Sequence, residues 1–380
     1  MADRKDRHGE SPGGRPAAAG QAPRRFSRRK LLVGGAASAP ALALLHQAVP
    51  HQGVHRVLGG SQATAAGTPN GAHPAHGGAG GTVAHASFAG GRVDHRANGF
   101  NPTEILRDFD HGKTRRLASG RVLRQFELVA ADKELEVAPG VRFDAWTYNG
   151  RVPGPTLRCR EGELLRIRFA NGSEHPHTVH FHGIHAAAMD GVPGVGERSG
   201  GGLIEPGKSY TYEFDASPFG LHLYHCHVMP LESHISKGLY GAFVIDPRRG
   251  RPEADELMMV MNGFDTNFDG SNEVYAVNTV GFHYMDEPVR VRRGELVRIY
   301  LVNTLEFDPI NSFHIHANFF HYYPTGTSLE PTELTDTVVQ AQGQRGILEL
   351  RFPKPGRYMF HAHVSEFAQL GWMGFFEVSG

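Results

Sequence analysis

The sequence predicts an all-β protein made of two similar sandwich or barrel domains behind a long N-terminal region. After residue 120, short runs rich in Val, Ile, Leu, Phe and Tyr alternate with Gly, Pro, Asn and Asp, which is typical of short strands joined by turns. That part of the chain carries no amphipathic helical period of useful length. The same segments also occur twice, which indicates a duplicated domain.

The repeated segments keep their order and nearly their spacing. They are GELLRIRFAN from Gly162 and GELVRIYLVN from Gly294, HTVHFH ending at His182 and NSFHIH ending at His316, LYHCHV from Leu223 and MFHAHV from Met359, and GAFVID from Gly241 and GFFEVS from Gly374. The offsets run from 132 to 136 residues. We therefore predict one domain over 119–250 and a second over 251–380.

The overall charge conceals two oppositely charged parts. The 380 residues include 39 basic and 39 acidic side chains. Residues 1–30 have a net charge of +6, and the rest of the chain has −6. The absence of a basic surplus argues against a nucleic-acid partner. Two cysteines exclude a disulfide-dense scaffold and a Cys₄ zinc module.

The basic N-terminus is typical of an export signal. Arg28 and Arg29 precede an apolar run from Leu31 to Leu45, whose 15 residues are too few for a stable membrane span. The paired arginines resemble a twin-arginine signal. We predict a signal peptide over 1–45 and a periplasmic or extracellular protein. An uncleaved anchor and an arginine-rich disordered tail are the alternatives.

A Gly-, Ala- and His-rich segment follows the signal. It is poor in aromatic residues and cannot bury enough apolar surface to offset its ordering entropy. We predict a disordered linker over 46–118. Its histidines could bind metal loosely, but a solvated linker is the favoured interpretation.

Four His-x-His pairs indicate a transition-metal centre. Residues i and i+2 of a strand face the same side, so each pair presents two imidazoles together. A lone histidine on a strand is usually a core residue, which does not explain four duplicated pairs. The pairs are His180/His182, His225/His227, His314/His316 and His361/His363.

A second metal site is predicted on the opposite strand face. Cys226 lies between His225 and His227, so its sulfur points away from them. With His177 and His234 it forms a His₂Cys set, which is the ligand set of blue copper. Leu239, five residues after His234, stands where an axial Met is expected and cannot coordinate; Met229 is a weaker axial candidate. The second domain has Asn311 and Ala362 at the positions of His177 and Cys226.

With these motifs the sequence resembles the multicopper oxidases. The segments that carry the resemblance are PGPTLRCREGE from Pro153, HPHTVHFHG from His175, MDGVPG from Met189 and YHCHVMPLESHISKGLYG from Tyr224. Because the blue copper ligands lie in the first of two domains, the chain is similar to the two-domain, laccase-like branch, which is related to copper nitrite reductases. This resemblance implies two Greek-key cupredoxin domains and a homotrimer.

The resemblance also implies four copper ions per subunit. Type 1 copper would be bound by His177, Cys226 and His234, and type 2 copper by His180 and His314. One type 3 ion would take His182, His225 and His363, and the other His227, His316 and His361. The first domain of one subunit would complete the cluster with the second domain of its neighbour.

The predicted activity is oxidation of a small reducing substrate by dioxygen. The donor would be a phenolic or aromatic compound or a metal ion, oxidised one electron at a time through Cys226. Protons would come from a carboxylate near the cluster, and Asp190 and Glu366 are the candidates. A copper nitrite reductase and a copper-binding electron carrier are the alternatives.

Overall fold

The N-terminal part of the described chain is more ordered than predicted. The structure is a computed structural model that describes residues 91–192, 195 and 202–380. The predicted signal peptide and most of the predicted linker lie outside these residues. Residues 91–118, however, form helices α1 (His95–Asn98) and α2 (Pro102–Ile105) and strands β1 (Phe109–Asp110) and β2 (Lys113–Arg116). The prediction of a disordered linker up to residue 118 is therefore wrong at its C-terminal end.

Local capping and pairing explain this order. Asp94 accepts hydrogen bonds from the first N–H groups of α1, and Asn101 accepts one at the start of α2. Ile105 and Leu106 are buried, and β1 and β2 pair with strands of the first domain. The segment is thus ordered by packing against other parts of the chain, because its own composition could not form a core.

Domain 1 (residues 119–250) is a sandwich of two sheets. Its strands are β3 (Val122–Ala138), β4 (Val141–Tyr148), β5 (Thr156–Arg160), β6 (Leu164–Asn171), β7 (His180–Phe181), β8 (Ser209–Asp215), β9 (Gly220–His225) and β10 (Tyr240–Asp246). Helix α3 (Leu231–Ser236) and a 3₁₀ turn (Ala187–Met189) lie between strands. One sheet has the order β1-β5-β10-β9-β7 and the other β2-β3-β6-β8, with β4 paired to β3.

Domain 2 (residues 251–380) is a second sandwich. Its strands are β11 (Asp255–Phe264), β12 (Val274–Val277), β13 (Val289–Arg292), β14 (Val297–Asn303), β15 (Ile310–Ile315), β16 (Phe320–Pro324), β17 (Glu333–Thr335), β18 (Thr337–Ala341), β19 (Arg345–Leu350), β20 (Gly356–His361) and β21 (Met373–Ser379). Its helices are α4 (His283–Asp286) and α5 (Ser365–Gln369). The sheet orders are β12-β11-β14-β19-β16-β17 and β13-β21-β20-β15-β18.

The sheet topology repeats between the domains. The order β5-β10-β9-β7 of domain 1 corresponds to β13-β21-β20-β15 of domain 2, and β3-β6-β8 corresponds to β11-β14-β19. In both domains the first strand of each set pairs in parallel with the second. The predicted all-β fold with two duplicated sandwiches is confirmed.

A shared apolar cluster joins the two domains, and strand β11 shows how. Its Met259 and Met261 face the core of domain 2, whereas Met258 and Val260 face a cluster that also contains Leu223 of domain 1. Alternate residues of a strand point to opposite faces, so a strand with two buried faces is apolar throughout. By their internal contacts, the described residues of both domains belong to one compact unit.

Ion pairs extend this junction. Arg158 of domain 1 lies 2.5 Å from Glu256 of domain 2, and Arg298 contacts both Glu256 (2.9 Å) and Glu349 (2.6 Å). Such partly buried charges need their partners, because an unpaired charge would keep its desolvation cost. In the described part of the chain, no helix has the length and apolar character needed to cross a membrane.

Candidate metal centre

The three predicted type 1 ligands meet beyond the end of β9. Cys226 follows that strand directly, and its N–H donates to the Leu239 carbonyl (2.9 Å). His177 is held by paired backbone hydrogen bonds with Ile204, and His234 lies in α3. The Cys226 Sγ is 3.3 Å from His234 Nδ1 and 3.8 Å from His177 Nδ1, and the two Nδ1 atoms are 3.2 Å apart.

This geometry fits a copper ion. Metal–nitrogen bonds of about 2.0 Å and a metal–sulfur bond of about 2.3 Å place trigonal ligand atoms about 3 to 4 Å apart. One thiolate and two imidazoles are the donor set of blue copper. The Thr178 N–H points at the sulfur from 3.4 Å and would stabilise its thiolate form.

Burial sets the protonation of these ligands. It lowers the pKa of His177 to about 3 and of His234 to about 4, so both rings are neutral at pH 7 and have a free lone pair. Burial raises the pKa of the Cys226 thiol to about 11. A metal ion must therefore displace a proton from Cys226, which makes binding pH-dependent.

The residue predicted from the sequence to stand at the axial position is apolar and buried. Leu239 is fully buried in the same core cluster as Cys226. Met229, the weaker axial candidate, is 70 % exposed and points away from this core. The core cluster that contains Cys226 thus includes a hydrocarbon side chain at residue 239, whereas the Met229 thioether is largely exposed.

Residues that support this site were missed in the sequence. The Trp146 indole lies 5.2 Å from the His177 ring and 4.8 Å from the His234 ring, between centroids. His177 Nε2 lies 2.9 Å from the hydroxyl of Ser173, which donates to Asp132 (2.6 Å). Trp146 and Asp132 belong to segments distant from these histidines, so no local spacing could have indicated them. Ser173 lies only four residues before His177, but a lone serine there is no specific signal.

Four histidines of domain 1 form a quartet, which we name the domain 1 quartet: His180, His182, His225 and His227. The His180 ring lies within 5.1 to 5.3 Å of the other three rings. His182 Nε2 and His225 Nε2 approach to 2.7 Å, a separation that two ligands of one ion can adopt. His225 Nδ1 lies 2.8 Å from the Cys226 carbonyl, which ties that nitrogen and leaves Nε2 free.

Asp190, a predicted proton donor, lies at this quartet, together with His185. The Asp190 carboxylate lies 3.0 Å from both His180 Nδ1 and His185 Nε2, and its carbonyl is also 3.0 Å from His180 Nδ1. Asp190 can therefore fix the tautomer of His180. The sequence signal for His185 was only its closeness to the HTVHFH motif.

Domain 2 presents a matching set, the domain 2 quartet: His314, His316, His361 and His363. His316 Nε2 and His361 Nε2 are 3.0 Å apart, and His361 Nδ1 lies 2.7 Å from the Ala362 carbonyl. His314 Nδ1 lies 3.0 Å from the Asp336 carbonyl, just as His180 Nδ1 contacts Asp190. The pseudo-equivalence of Asp336 was missed because the loop before it differs in length from that of domain 1.

The two quartets remain separate within one chain. Ring contacts join histidines within each quartet, and among the described residues none joins one quartet to the other. His316 and His363 are exposed. Glu366 is exposed in the first turn of α5, and no hydrogen bond described for this part of the chain links its side chain to a histidine. Within one chain, therefore, the described residues of the two quartets do not come together.

A cleft between the domains opens onto the domain 1 quartet. It has a volume of about 320 Å³. Domain 2 contributes Thr304, Leu305, Glu306, Gln342 and Gly343 to its wall. Burial raises the pKa of Glu306 to about 7, and the nearby Glu232 carboxylate adds to this shift.

Comparison with known proteins agrees with this architecture. Multicopper oxidase family models match residues 130–250 and 251–380. A solved structure described as a multicopper oxidase is 63% identical, with a TM-score of 0.74, and the match covers 76% of this chain and all of that one. The blue copper oxidase of Nitrosomonas europaea is 26% identical, with a TM-score of 0.59 over 67% of this chain and 86% of that one.

Nitrite reductases are also similar. The copper-containing nitrite reductase of Neisseria gonorrhoeae is 31% identical over 258 residues, which are 62% of this chain and 63% of that protein. The chain thus matches somewhat less than two thirds of the length of this curated relative. Two cupredoxin sandwiches, a buried His₂Cys set, two histidine quartets and both family matches lead to one assignment. The chain belongs to the multicopper oxidase family.

Proposed function

We propose that the protein couples four one-electron oxidations of a small reducing substrate to the reduction of dioxygen to two waters. The observation that carries this proposal is the pair of matched histidine quartets beside a single His₂Cys set. Phenolic or aromatic compounds and reduced metal ions are the proposed donors. Four copper ions per subunit would be needed to use all of these ligands.

The protein's own residues support a division of labour. Copper, when bound, supplies one-electron transfer at the His₂Cys set and dioxygen reduction at the quartets. The backbone joins Cys226 directly to His225 and His227, so a short covalent path links the two places. Asp190 orients His180 through its contact with Nδ1. Glu366 stays a prediction for the assembled protein, as the proton donor three residues after His363.

We further propose that a homotrimer completes the cluster. Two histidines of the domain 2 quartet, His316 and His363, are exposed. Phe319, three residues after His316, and Val339 are apolar side chains that are each 57 % exposed. Val339 is on β18, which pairs with the His314 strand at the edge of its sheet. An exposed set of metal ligands next to apolar side chains supports docking of a second copy there.

A nitrite reductase is the second candidate, because similar proteins have that activity. Such an enzyme would need the His₂Cys set and one further copper with three histidines. It would leave most of the two quartets unused. An electron carrier would leave both unused.

The test combines copper content with a cysteine variant. We expect four copper ions per subunit, dioxygen consumption with a phenolic donor, and loss of that activity in Cys226→Ser with the quartets still loaded. Cys159→Ser is the matched control, because Cys159 is also buried but lies apart from the histidines, and it should retain activity. Two coppers per subunit with nitrite reduction, or one copper and no turnover, would contradict the proposal.

We also propose export through a twin-arginine signal, supported by Arg28 and Arg29 before the apolar run. Replacement of both by lysine should keep the protein in the cytoplasm of a producing cell that exports the parent chain. Equal export of the two proteins, measured by cell fractionation, would contradict it.

A further inference from the structure

The interdomain cleft contains an acidic side chain that the sequence analysis did not identify. Glu306 follows β14 and lines the cleft opposite the domain 1 quartet. Two domain 2 loops hold it in place. Its backbone carbonyl accepts a hydrogen bond from Asn272 (2.8 Å), and its carboxylate accepts one from Gln342 (3.3 Å). Gly343, beside Gln342, is close to His182: a Cβ on it would lie 3.5 Å from His182 Cε1.

No described cation forms an ion pair with Glu306; Arg345 is near the same cleft, but its guanidinium donates to the Gly343 carbonyl (3.4 Å). The titratable groups that face the cleft are Glu232 from α3, Tyr240 from β10, and the four histidines of the domain 1 quartet. Glu232 is acidic, and a second carboxylate nearby favours the protonated acid. The ordinary role of a carboxylate between domains would be an ion pair, as for Glu256, and Glu306 has no such pair among the described residues.

The cleft is large enough for water to connect Glu306 with the quartet. Its volume of about 320 Å³ exceeds the roughly 30 Å³ that one liquid water occupies. Its wall combines apolar side chains, such as Leu223 and Leu231, with the few polar groups of Glu306, Gln342 and Thr304. A short water chain between one acid and the histidines fits this lining.

We propose that Glu306 is the proton carrier that serves the domain 1 quartet through water in the interdomain cleft. This inference rests on the proposed dioxygen reduction, which takes up four electrons from the donor and four protons for each pair of waters formed. In each cycle the Glu306 carboxyl group breaks its O–H bond and gives the proton to a cleft water. It then regains a proton from solvent, and four cycles supply one dioxygen. A pKa near 7 suits this exchange at neutral pH.

The first measurement follows the carboxyl group itself. Infrared spectra of the copper-loaded full chain, taken from pH 5 to 9, should show a protonated-carboxyl band that disappears with a midpoint near pH 7. The band should be missing in Glu306→Gln. In Glu232→Gln the midpoint should fall, because the repelling charge is removed. A band that titrates below pH 5.5, or that persists in Glu306→Gln, would overturn the proposal.

The second measurement separates proton delivery from electron transfer. The reduced enzyme is mixed with dioxygen, and we expect Glu306→Gln to be reoxidised about a hundredfold more slowly. Anaerobic reduction of the Cys226 site by the donor should keep its normal rate. Glu306→Asp should recover part of the loss, and the exposed Glu330→Gln is the matched control with the parent rate.

The two proposals fail in different ways. Normal reoxidation of Glu306→Gln, with the copper content unchanged, would refute the role of Glu306 and leave the oxidase intact. A parent enzyme that does not consume dioxygen would refute the proposed function, and the proton carrier with it. If Glu306→Gln does not fold, an unshifted midpoint in Glu232→Gln still decides against the proposal.

Discussion

The two domains have the same strand arrangement, but only domain 1 has a His₂Cys set. The Cys226 N–H donates to the Leu239 carbonyl (2.9 Å), and at the same place in domain 2 the Ala362 N–H donates to Trp372 (3.1 Å). Domain 2 therefore has a smaller residue in place of the sulfur and a much larger one in place of the leucine. Trp372 is fully buried.

The other residues of the His₂Cys site are also replaced in domain 2. Leu239 N–H donates to the His234 carbonyl (3.3 Å), as Trp372 N–H does to that of Phe367 (2.9 Å). Phe367 stacks on Tyr275 with ring centroids 4.1 Å apart, where domain 1 has His234 against Trp146. Asn311, fully buried, stands at the position of His177.

The residues on one face of a strand can therefore differ between the domains while the residues on its other face are kept. In domain 2, residues that do not match the His₂Cys set occupy its place, two of them large and apolar (Phe367 and Trp372). The quartet on the other face nevertheless keeps its Nε2 pair and its carbonyl contacts. Alternation of side chains across a strand makes this possible, because a substitution on one face does not move its neighbours on the other.

Alanine variants in each quartet should have the strongest effect on activity, and they test whether the two quartets form one centre. We expect His182→Ala and His316→Ala each to lower dioxygen consumption at least about a hundredfold, because each removes one of two converging nitrogens. The blue absorption of the Cys226 site should persist in both. Rates and spectra of the two purified variants check this.

Mixing the variants tests the shared cluster more sharply. If domain 1 of one subunit meets domain 2 of the next, a trimer that combines His182→Ala with His316→Ala subunits contains some intact clusters. Random mixing should restore about a quarter of the parent activity. Mixing His182→Ala with His225→Ala is the control and should restore none. Equal behaviour of both mixtures would argue against the shared cluster.

A smaller effect is expected from substitutions at Leu239 and at Trp372, which stands at the equivalent position in domain 2. Leu239→Met should lower the reduction potential of copper at Cys226, because a thioether donor favours the oxidised ion. Trp372→Phe, at the equivalent position of domain 2, should leave that potential unchanged and lower the unfolding stability instead. Redox titration and urea unfolding measure the two effects. The same potential in the parent and Leu239→Met would show that residue 239 does not face the ion.

The alternation of side chains along strands and the duplicated segments were sufficient to predict the fold class. The His-x-His spacing placed each pair on one strand face, and the odd step to Cys226 placed its sulfur on the other. Both consequences are local, so they could be derived without coordinates. The order of residues 91–118 could not, because it depends on α1, α2, β1 and β2 packing against distant strands.

Most side chains that surround the candidate metal ligands could not be predicted from the sequence either. Trp146, Asp132 and Glu306 reach their partners only after folding brings separate segments together. Asp190 was predicted because it follows the histidine motif closely. Asp336 plays the corresponding part beside His314, but its loop has no matching sequence.

Strand β11 has a consequence for the modularity of the chain. Because its two faces pack in two different cores, Met258, Val260 and Phe264 would lose their domain 1 neighbours in an isolated domain 2. Neither half is an independent module, although the sequence contains two copies of one unit.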